Sequence, residues 1–275
     1  MIDVTKPDEI DLSKLARIGQ GRTAEVFALD EEHVIKVARE GAAASLDREA
    51  TAMRAARSAN MPVPAAHALV DVAGRQALIM DRARGVDMLT QFGRRPWTII
   101  RAGAKLGRLH AKLHETVAPP ELPSLKQTLL DRIGGSEYVP SAVRDRVLPI
   151  LRDLPDGDRL CHLDFHPANV ITDGATMTVI DWPGACRGDP LADVALTTIT
   201  LRGGKTTPGT PLMTRLLAPI GRRLLLGGYS RSYRKHGSFD RERFAKWLVV
   251  AAAQRLTYDI AGEEAMLLRV IDRAP

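Results

Sequence analysis

Several features are scarce in this chain of 275 residues, and each scarcity excludes a class of protein. Cysteine occurs only at Cys161 and Cys186, without metal-ligand spacing, which excludes a disulfide scaffold and predicts reduced thiols in a cytoplasmic protein. The longest apolar run, near residues 247–253, is much too short to cross a bilayer, so no membrane association is expected. Residues 1–8 have neither a basic start nor an apolar stretch, so no signal peptide is expected.

Acidic residues are scarce in the last quarter of the chain. Residues 201–275 carry fourteen Lys and Arg but only six Asp and Glu, so the net charge of +6 resides there. The clustered cations are Arg222, Arg223, Arg231, Arg234 and Lys235. A solvated helical face is the usual origin of such a cluster. Nucleic acid is not an expected partner, because the segment is Leu-rich, aromatic residues are sparse and no recognition motif is present.

The most specific pattern lies in the second half of the chain. Residues 162–169 read H-L-D-F-H-P-A-N, and residues 180–182 read I-D-W. Asp164 can accept or orient the proton of an attacking hydroxyl, while Asn169 and Asp181 offer the hard oxygen ligands that Mg²⁺ prefers. An Asp or Asn in a loop often only caps a turn. The full string with a second, correctly spaced Asp is far more specific, and it predicts Asp164 as catalytic and Asn169 and Asp181 as metal ligands.

A glycine-containing turn near the N-terminus could cover phosphate groups. Residues 18–26 read I-G-Q-G-R-T-A-E-V, which predicts a strand, a turn and a second strand. Gly19, Gly21 and Thr23 are the candidate contacts, because glycine lets the backbone approach phosphate oxygens and adopt positive φ. Ala24 stands where the G-x-G-x-x-G-x-V pattern has a third glycine. A simple hairpin turn is the alternative.

A lysine and a glutamate follow this turn. Residues 33–38 alternate in a way that predicts a strand with Lys36 pointing inward. Residues 42–53 are Ala-rich and predict a helix. This helix offers two candidate carboxylates, Asp47 and Glu49, and the helical phase favours Glu49 because it lies at the edge of the apolar face.

Five features follow one another along the chain: the glycine turn, Lys36, Glu49, the string at residues 162–169 and Asp181. This ordered set resembles the protein-kinase-like superfamily. The strings H-x-D-x-H-P-x-N and I-D-W resemble its aminoglycoside phosphotransferase and choline kinase-like small-molecule kinase branch, over residues 15 to about 200. The resemblance implies an α+β, bilobal protein-kinase-like fold. A small antiparallel-sheet N-lobe would span residues 1–84, and a larger, mainly helical C-lobe would span residues 85–275. It further implies that Lys36, held by Glu49, pairs with the α- and β-phosphates.

The resemblance also places a nucleotide hinge after the N-terminal sheet. Strands are predicted at residues 66–72 and 76–81, joined by a hairpin with Gly74 at its tip. The edge of the adenine would bond backbone groups from Asp81 to Ala83, with Met80 beside it. Backbone recognition leaves no side-chain signature, so this assignment depends on position alone.

The rest of the chain is predicted to be helical. Helices are expected at residues 97–116 and 143–154, after a cap at Asp189 with Pro190 in the first turn, and over 203–275 with breaks at Gly203-Gly204 and Gly227-Gly228. His110 and His114 could suggest a metal pair, but they are interpreted as surface or supporting histidines. His162 and His166 are expected to support the catalytic loop. The resemblance implies that an aspartate such as Asp189 or Asp193 braces this loop, and Asp193 is the better candidate because capping already explains Asp189.

The resemblance implies a Mg²⁺-dependent phosphotransferase that uses ATP or GTP and a small hydroxylated acceptor. Aminoglycosides, choline or ethanolamine, homoserine and amino sugars remain open as acceptors, and the oligomeric state is open. A pseudokinase that binds a nucleotide or a partner is the alternative class. Leu163 and Pro183 depart from the family pattern, which often has glycine and an acidic residue there.

The charge count predicts a neutral or anionic acceptor, because a polycation favours an acidic pocket. The competing possibility is that the arginines coat the outer helices and leave an acidic pocket. The carboxylates that would form it are Asp87, Asp164, Asp259, Glu263 and Glu264.

Overall fold

The computed structural model describes residues 10–203 and 212–273. Its strands are β1 (Arg17–Gln20), β2 (Ala24–Ala28), β3 (His33–Ala38), β4 (Ala66–Val72), β5 (Arg75–Asp81), β6 (Val86–Asp87), β7 (Arg159–Cys161), β8 (Val170–Thr172), β9 (Met177–Val179) and β10 (Cys186–Gly188). Its helices are α1 (Ala43–Ser58), α2 (Met88–Arg94), α3 (Ile99–Leu113), α4 (Leu125–Gly135), α5 (Ser141–Asp153), α6 (Pro190–Arg202), α7 (Leu212–His236), α8 (Arg241–Leu256) and α9 (Glu264–Asp272). None of these described helices is both long and apolar enough to cross a membrane.

The chain divides into two compact units. The first runs to Asp87 and also contains Asn169–Ala185, and the second contains Met88–Ala168 and the chain from Cys186 onward. The division into lobes at residues 84 and 85 stays a prediction. The start of the predicted N-lobe, residues 1–9, lies outside the described residues.

An antiparallel five-stranded sheet forms most of the first unit, in the order β1-β2-β3-β5-β4. The inner strands β3 and β5 are largely buried along their length, whereas the edge strand β1 is mostly exposed. The β4–β5 hairpin turns at Ala73 and Gly74, which have φ values of 53° and 73°. Positive φ at both turn positions matches the right-handed twist of the strands, so the predicted turn at Gly74 is present.

Helix α1 packs on this sheet, and the short strands β6, β8 and β9 form a second sheet in the same unit. The buried face of α1 is made by Leu46, Glu49, Ala50, Ala52, Met53 and Ala56. Position 85, next to strand β8, requires a glycine. A Cβ there would overlap the carbonyl of Thr172, and Gly85 has a φ of 111°. This sheet ends beside Asn169 and Ile180, where the Ile180 amide donates to the Asn169 carbonyl at 3.0 Å.

Helices dominate the second unit, and one predicted feature there is wrong. Gly227 and Gly228 do not break the chain into separate helices but lie inside α7. A Cβ at Gly228 would lie 2.5 Å from the carbonyl oxygen of Ile100, and Gly103 and Gly107 of α3 face the α7 backbone equally closely. These glycines therefore permit close packing of α3 on α7. The break predicted at the other pair is present at Gly203, which caps α6, while Gly204 lies outside the described residues.

The start of α6 agrees with the sequence prediction. The side chain of Asp189 accepts a hydrogen bond from the Leu191 amide at 3.0 Å, and Pro190 occupies the first turn. The other carboxylate oxygen of Asp189 accepts from Trp247 Nε1 at 2.8 Å. The cap thus also ties α6 to α8.

Candidate active site

A buried lysine joins two carboxylates in the first unit. Lys36 Nζ lies 2.9 Å from Glu49 Oε1 and 2.8 Å from Asp181 Oδ1. The side chains of Lys36 and Glu49 are 7% and 1% exposed, whereas that of Asp181 is 43% exposed. Asp47 is exposed to solvent, so the geometry selects Glu49 as the helix carboxylate beside Lys36. The contact with Asp181 was not predicted from the sequence.

The two carboxylates keep the lysine charged. Burial alone would lower the pKa of Lys36, but the charges of Glu49 and Asp181 raise that pKa above its ordinary value. Burial raises the pKa of Glu49, while Lys36 and the Trp182 amide act in the opposite direction. Lys36 is therefore a fixed, desolvated positive charge, which interacts with anions more strongly than a solvated one.

Glu49 also fixes the segment that carries Asp181. The Trp182 amide donates to Glu49 Oε1 at 3.1 Å, and the indole Nε1 of the fully buried Trp182 donates to the Val179 carbonyl at 3.2 Å. Asp181 has a φ of 66°, a left-handed conformation that Asp adopts more readily than most residues. Arg48 donates to the carbonyl of Pro183 at 3.2 Å. These bonds hold the carboxylate of Asp181 at the end of the small sheet.

The residues predicted to hold a metal have suitable chemistry. Asn169 is buried, and its carbonyl accepts a hydrogen bond from the amide of Ile180. The backbone of Asn169 therefore lies beside the residue that precedes Asp181. One carboxylate oxygen of Asp181 contacts Lys36, and the carboxylate as a whole is partly exposed. An amide oxygen and a carboxylate are ligands that Mg²⁺ accepts. Asn169 and Asp181 therefore fit a magnesium ion.

The glycine turn is a tight hairpin between β1 and β2. The Gly21 amide donates to the Ala24 carbonyl at 2.8 Å, and the Arg39 amide donates to the Thr23 carbonyl at 2.8 Å. Gly19 pairs with Val26 across the strands. Neither glycine adopts the positive φ that glycine permits. Ala24, which replaces the third glycine of the pattern, is buried.

The predicted hinge follows β5. The amide of Asp81 donates to the Ala65 carbonyl at 3.0 Å, and the amide of Arg82 donates to the Glu32 carbonyl at 2.6 Å. The amides of Asp81 and Arg82 are thus already hydrogen-bonded to backbone carbonyls of the first unit. Met80 lies on the same face of the sheet as Lys36, because Val34 faces Met80 and side chains alternate along β3.

Asp164 belongs to the second unit and lies in a loop held by Asp193. Asp193 accepts from the His162 amide at 2.6 Å and from the Leu163 amide at 3.0 Å. Leu163 has a φ of 64°, which explains why glycine is usual at this position. The Asp164 side chain is 53% exposed, and His166 Nε2 lies 3.2 Å from its Oδ1. The geometry agrees with Asp193 as the brace and with His166 as a support.

Sequence reasoning missed a buried network behind this brace. His110 Nε2 lies 3.1 Å from Asp193 Oδ2, and the Tyr229 hydroxyl lies 2.8 Å from His110 Nδ1. His114 repeats the arrangement one turn later, with Tyr233 at 2.8 Å. Both histidines are buried, so they support the loop rather than lie on the surface. The signal was present as matching i, i+4 pairs on α3 and α7, but nothing in the sequence joined the two helices.

Protonation in this network follows from burial. Burial, with the neighbouring His114, lowers the pKa of His110 to about 4, so the imidazole is neutral at pH 7. A neutral ring protonated at Nε2 donates to Asp193 and accepts from Tyr229. Burial would raise the pKa of Asp193, but the two histidines hold it well below its usual value. Asp193 therefore remains an anion that accepts the loop amides.

Comparison with known proteins shows the family to which the chain belongs. The model of the phosphotransferase enzyme family APH matches residues 14–247, so the chain belongs to this family. It is a phosphotransferase that acts on hydroxyl groups of small molecules. No curated protein sequence matches the chain.

Solved structures show the same fold at low sequence identity. Amicoumacin kinase hAmiN, in complex with AMP-PNP, Ca²⁺ and Ami, is 14% identical and has a TM-score of 0.64, covering 97% of this chain and 89% of its own. A thermostable mutant of aminoglycoside phosphotransferase APH(4)-Ia, with AMP-PNP and hygromycin B, is 18% identical with a TM-score of 0.60, covering 94% and 92%. The GDP and kanamycin complex of APH(2")-IIIa is 14% identical with a TM-score of 0.59, covering 97% and 92%. The predicted fold class is thus confirmed.

Proposed function

We propose that this protein transfers the terminal phosphoryl group of ATP or GTP to a hydroxyl group of a small molecule in the cytoplasm, with Mg²⁺ as cofactor. The observation that carries the proposal is the buried contact of Lys36 with Glu49 and Asp181. A desolvated lysine fixed by two carboxylates, beside an oxygen donor set for Mg²⁺, serves to bind nucleotide phosphates. The nucleotides in the similar structures, AMP-PNP and GDP, support a nucleotide donor.

Each residue has a distinct role in this proposal. Lys36 pairs with the α- and β-phosphates, and Glu49 holds Lys36 in place. Gly19, Gly21 and Thr23 cover the phosphates through their backbone, while the hinge from Asp81 to Ala83 and the side chain of Met80 hold the base. Asn169 and Asp181 would hold Mg²⁺, which neutralises charge on the phosphate oxygens when bound.

Asp164 orients the acceptor hydroxyl and accepts its proton as transfer proceeds. Its exposed carboxylate is accessible to an acceptor, and the bonds from the loop to Asp193 restrict its backbone. His166, close to the carboxylate, restricts the orientation of Asp164. The proton leaves the acceptor oxygen for an oxygen of Asp164 while that acceptor oxygen bonds the terminal phosphorus of the nucleotide. The bond from this phosphorus to the bridging oxygen of the β-phosphate breaks, and the nucleoside diphosphate leaves.

The charge of the acceptor is a separate part of the proposal. We infer a neutral or anionic acceptor from the excess of basic residues in the last quarter of the chain. Of the carboxylates that could form an acidic pocket, Glu263 is buried and paired with Arg255 at 2.8 Å, so its charge is compensated. The competing possibility is supported by Arg231, Arg234 and Lys235, which are exposed on α7, where they can act as a solvated face.

A nucleotide-consumption screen tests the function. ATP and GTP are supplied separately with hydroxylated metabolites and antibiotics, including polycationic and anionic members of similar size, and products are identified by mass spectrometry. We expect a phosphorylated product from a neutral or anionic acceptor. Turnover of a kanamycin-like polycation at a micromolar KM would contradict the proposed acceptor charge but not the phosphotransferase function.

The variant Asp164→Asn separates transfer from binding. Phosphoryl transfer should fall by about two to four orders of magnitude, because the proton acceptor is lost, while nucleotide affinity stays near that of the wild type. Asp153→Asn is the control, since Asp153 is an exposed residue at the end of α5. Unchanged turnover in Asp164→Asn would remove Asp164 from its role. Nucleotide binding without any transfer across the screen would favour the pseudokinase alternative.

A further inference from the structure

We propose that His33, His67 and Asp81 form a second metal site, for a transition-metal ion of the Zn²⁺ class. One ligand atom from each of the three residues lies within 4.8 Å of the other two. The rings of His33 and His67 meet edge to face, with centroids 5.3 Å apart. His67 Nε2 lies 2.6 Å from Asp81 Oδ1. All three residues belong to the first unit and none is a proposed Mg²⁺ ligand.

The register of the sheet brings these residues together. His33 at the start of β3 is the direct cross-strand partner of Asp81 at the end of β5. The pairing of β4 with β5 is shifted between Ala66 and Ala68, so His67 is the extra residue of a bulge. A bulge redirects the side chain that it contains, and here it allows His67 to reach Asp81. Three neighbouring strands thus contribute one ligand each.

Neighbouring groups orient two of the three ligands. His33 Nδ1 lies 3.0 Å from Asp30 Oδ1, which leaves its Nε2 for a metal ion. The Asp81 Oδ2 atom accepts from the Ala65 amide at 2.9 Å, so Oδ1 is directed toward His67. A carboxylate behind a metal-binding histidine fixes the ring and increases its basicity. This arrangement is more than a chance grouping of polar side chains on a surface.

The ligand set selects the class of metal. Two imidazole nitrogens and one carboxylate oxygen suit Zn²⁺, Co²⁺, Ni²⁺ or Cu²⁺, whereas Mg²⁺ prefers oxygen ligands. Around a tetrahedral Zn²⁺ the ligand atoms are about 3.3 Å apart, given metal–ligand bonds of about 2.0–2.2 Å. The His67–Asp81 contact would therefore open by well under 1 Å as the ion replaces the shared proton. The partial exposure of all three side chains leaves further coordination positions to water.

A second histidine cluster differs from the proposed metal site in its burial and its hydrogen bonds. His110, His114 and Asp193 also bring their ligand atoms within 4.8 Å. There both Nδ1 atoms are bonded to tyrosine hydroxyls, and the carboxylate is used by two loop amides. That cluster is buried and its polar groups are satisfied, so a metal ion would have to break existing bonds. The His33 cluster is partly exposed, and a metal ion there would replace the direct contact between His67 and Asp81.

The site lies on the sheet face opposite to Lys36. His33 and Lys36 are three residues apart on one strand, and alternation directs them to opposite faces. Metal binding would connect β3, β4 and β5 through side chains on that outer face, whereas Asp81 enters the proposed nucleotide hinge only through its backbone. We therefore expect bound Zn²⁺ to raise the thermal stability of the protein.

Calorimetric titration of the full chain with Zn²⁺, after removal of metals with a chelator, tests the site. We expect one Zn²⁺ per chain, with binding retained in excess Mg²⁺. His33→Ala and His67→Ala should each weaken the affinity by at least about tenfold, and Asp30→Asn should weaken it less. His236→Ala is the matched control, because it removes an imidazole on α7 and should leave the affinity unchanged. The Tm of the wild type should rise with Zn²⁺, and that of His33→Ala/His67→Ala should not.

Two results would overturn the proposal. One is Zn²⁺ binding by His33→Ala/His67→Ala as tight as that of the wild type, which would place the ion elsewhere, for example at Cys161 and Cys186. The other is the absence of stoichiometric binding by a wild-type protein that circular dichroism shows to be folded. If an alanine variant fails to fold, His33→Gln and His67→Gln keep the side-chain volume and a polar group, and the same tenfold loss is required of them.

Discussion

Replacement of Lys36 by methionine is the perturbation whose effect the structure defines best. Met is similar in volume to Lys but carries no charge, so the variant leaves the fully buried carboxylate of Glu49 without its cation. Removal of one partner of a buried ion pair costs about 3–5 kcal/mol, because the remaining charge is desolvated and uncompensated. Asp181 is 43% exposed and adds little to this cost, since water can solvate it. We expect Lys36→Met to lower the free energy of unfolding by about that amount.

The pH dependence of this loss gives the reasoning a second, independent test. Burial raises the pKa of Glu49, and in Lys36→Met the lowering effect of Lys36 is absent. A carboxyl whose pKa is raised on folding contributes stability below its unfolded value, near 4.5, that is lost as the pH rises through the folded value. The deficit of Lys36→Met relative to the wild type should therefore be larger at pH 8 than at pH 5.

Urea unfolding followed by circular dichroism measures both effects, and two further variants serve as controls. Lys246→Met removes the cation of an exposed Lys246–Glu242 pair at 3.0 Å, which should change stability by less than about 0.5 kcal/mol. Lys36→Met/Glu49→Gln removes the buried charge yet keeps an oxygen for the Trp182 amide, so it should recover most of the loss. The reasoning is refuted if Lys36→Met loses no more stability than Lys246→Met, or if the double variant is no more stable than Lys36→Met.

Two further predictions concern the helical unit. Gly228→Ala places a Cβ 2.5 Å from the Ile100 carbonyl and should destabilise by about 1–3 kcal/mol, whereas Gly227→Ala, with nothing within 4 Å, should stabilise by up to about 1 kcal/mol; equal unfolding midpoints would contradict the packing argument. The pKa of His110 falls from 6.5 to about 4 on folding, because burial disfavours the charged ring. The neutral ring therefore contributes up to about 3 kcal/mol to the free energy of unfolding above pH 6.5, and this contribution is lost as the pH falls toward 4. Unfolding midpoints from pH 7.5 to 4.5 should therefore fall more steeply for the wild type than for His110→Gln, and parallel curves would exclude His110 as the cause.

The sequence predicted well those features that depend on residues close together in the chain. The strand at residues 66–72 has the predicted ends, because alternation and the Gly74 turn determine both. The cap at Asp189 was predicted from one side chain and the proline after it. Glu49 was preferred to Asp47 from the family resemblance and the helical phase, and Glu49 is the residue that contacts Lys36.

Features that depend on contacts distant in the chain were missed. Lys36 and Asp181 are 145 residues apart, and no pattern in either segment indicates that they touch. The glycines at 227 and 228 were interpreted as a helix break, since sequence does not show whether a glycine ends a helix or faces another backbone. The histidines of α3 were interpreted without their tyrosine partners on α7, 119 residues away. In each case tertiary packing, rather than local preference, decides the outcome.

The central claim is that Lys36 and Asp181 belong to a site for a nucleotide with Mg²⁺, and calorimetric titration with ATP and GTP tests it without knowledge of the acceptor. The account predicts that the wild type binds at least one of them more tightly with Mg²⁺ than without. Asp181→Ala should lose this difference, and Asp47→Ala, which changes the exposed neighbour of Glu49, should keep it. Equal affinity of the wild type with and without Mg²⁺, or no binding of either nucleotide, would contradict the account.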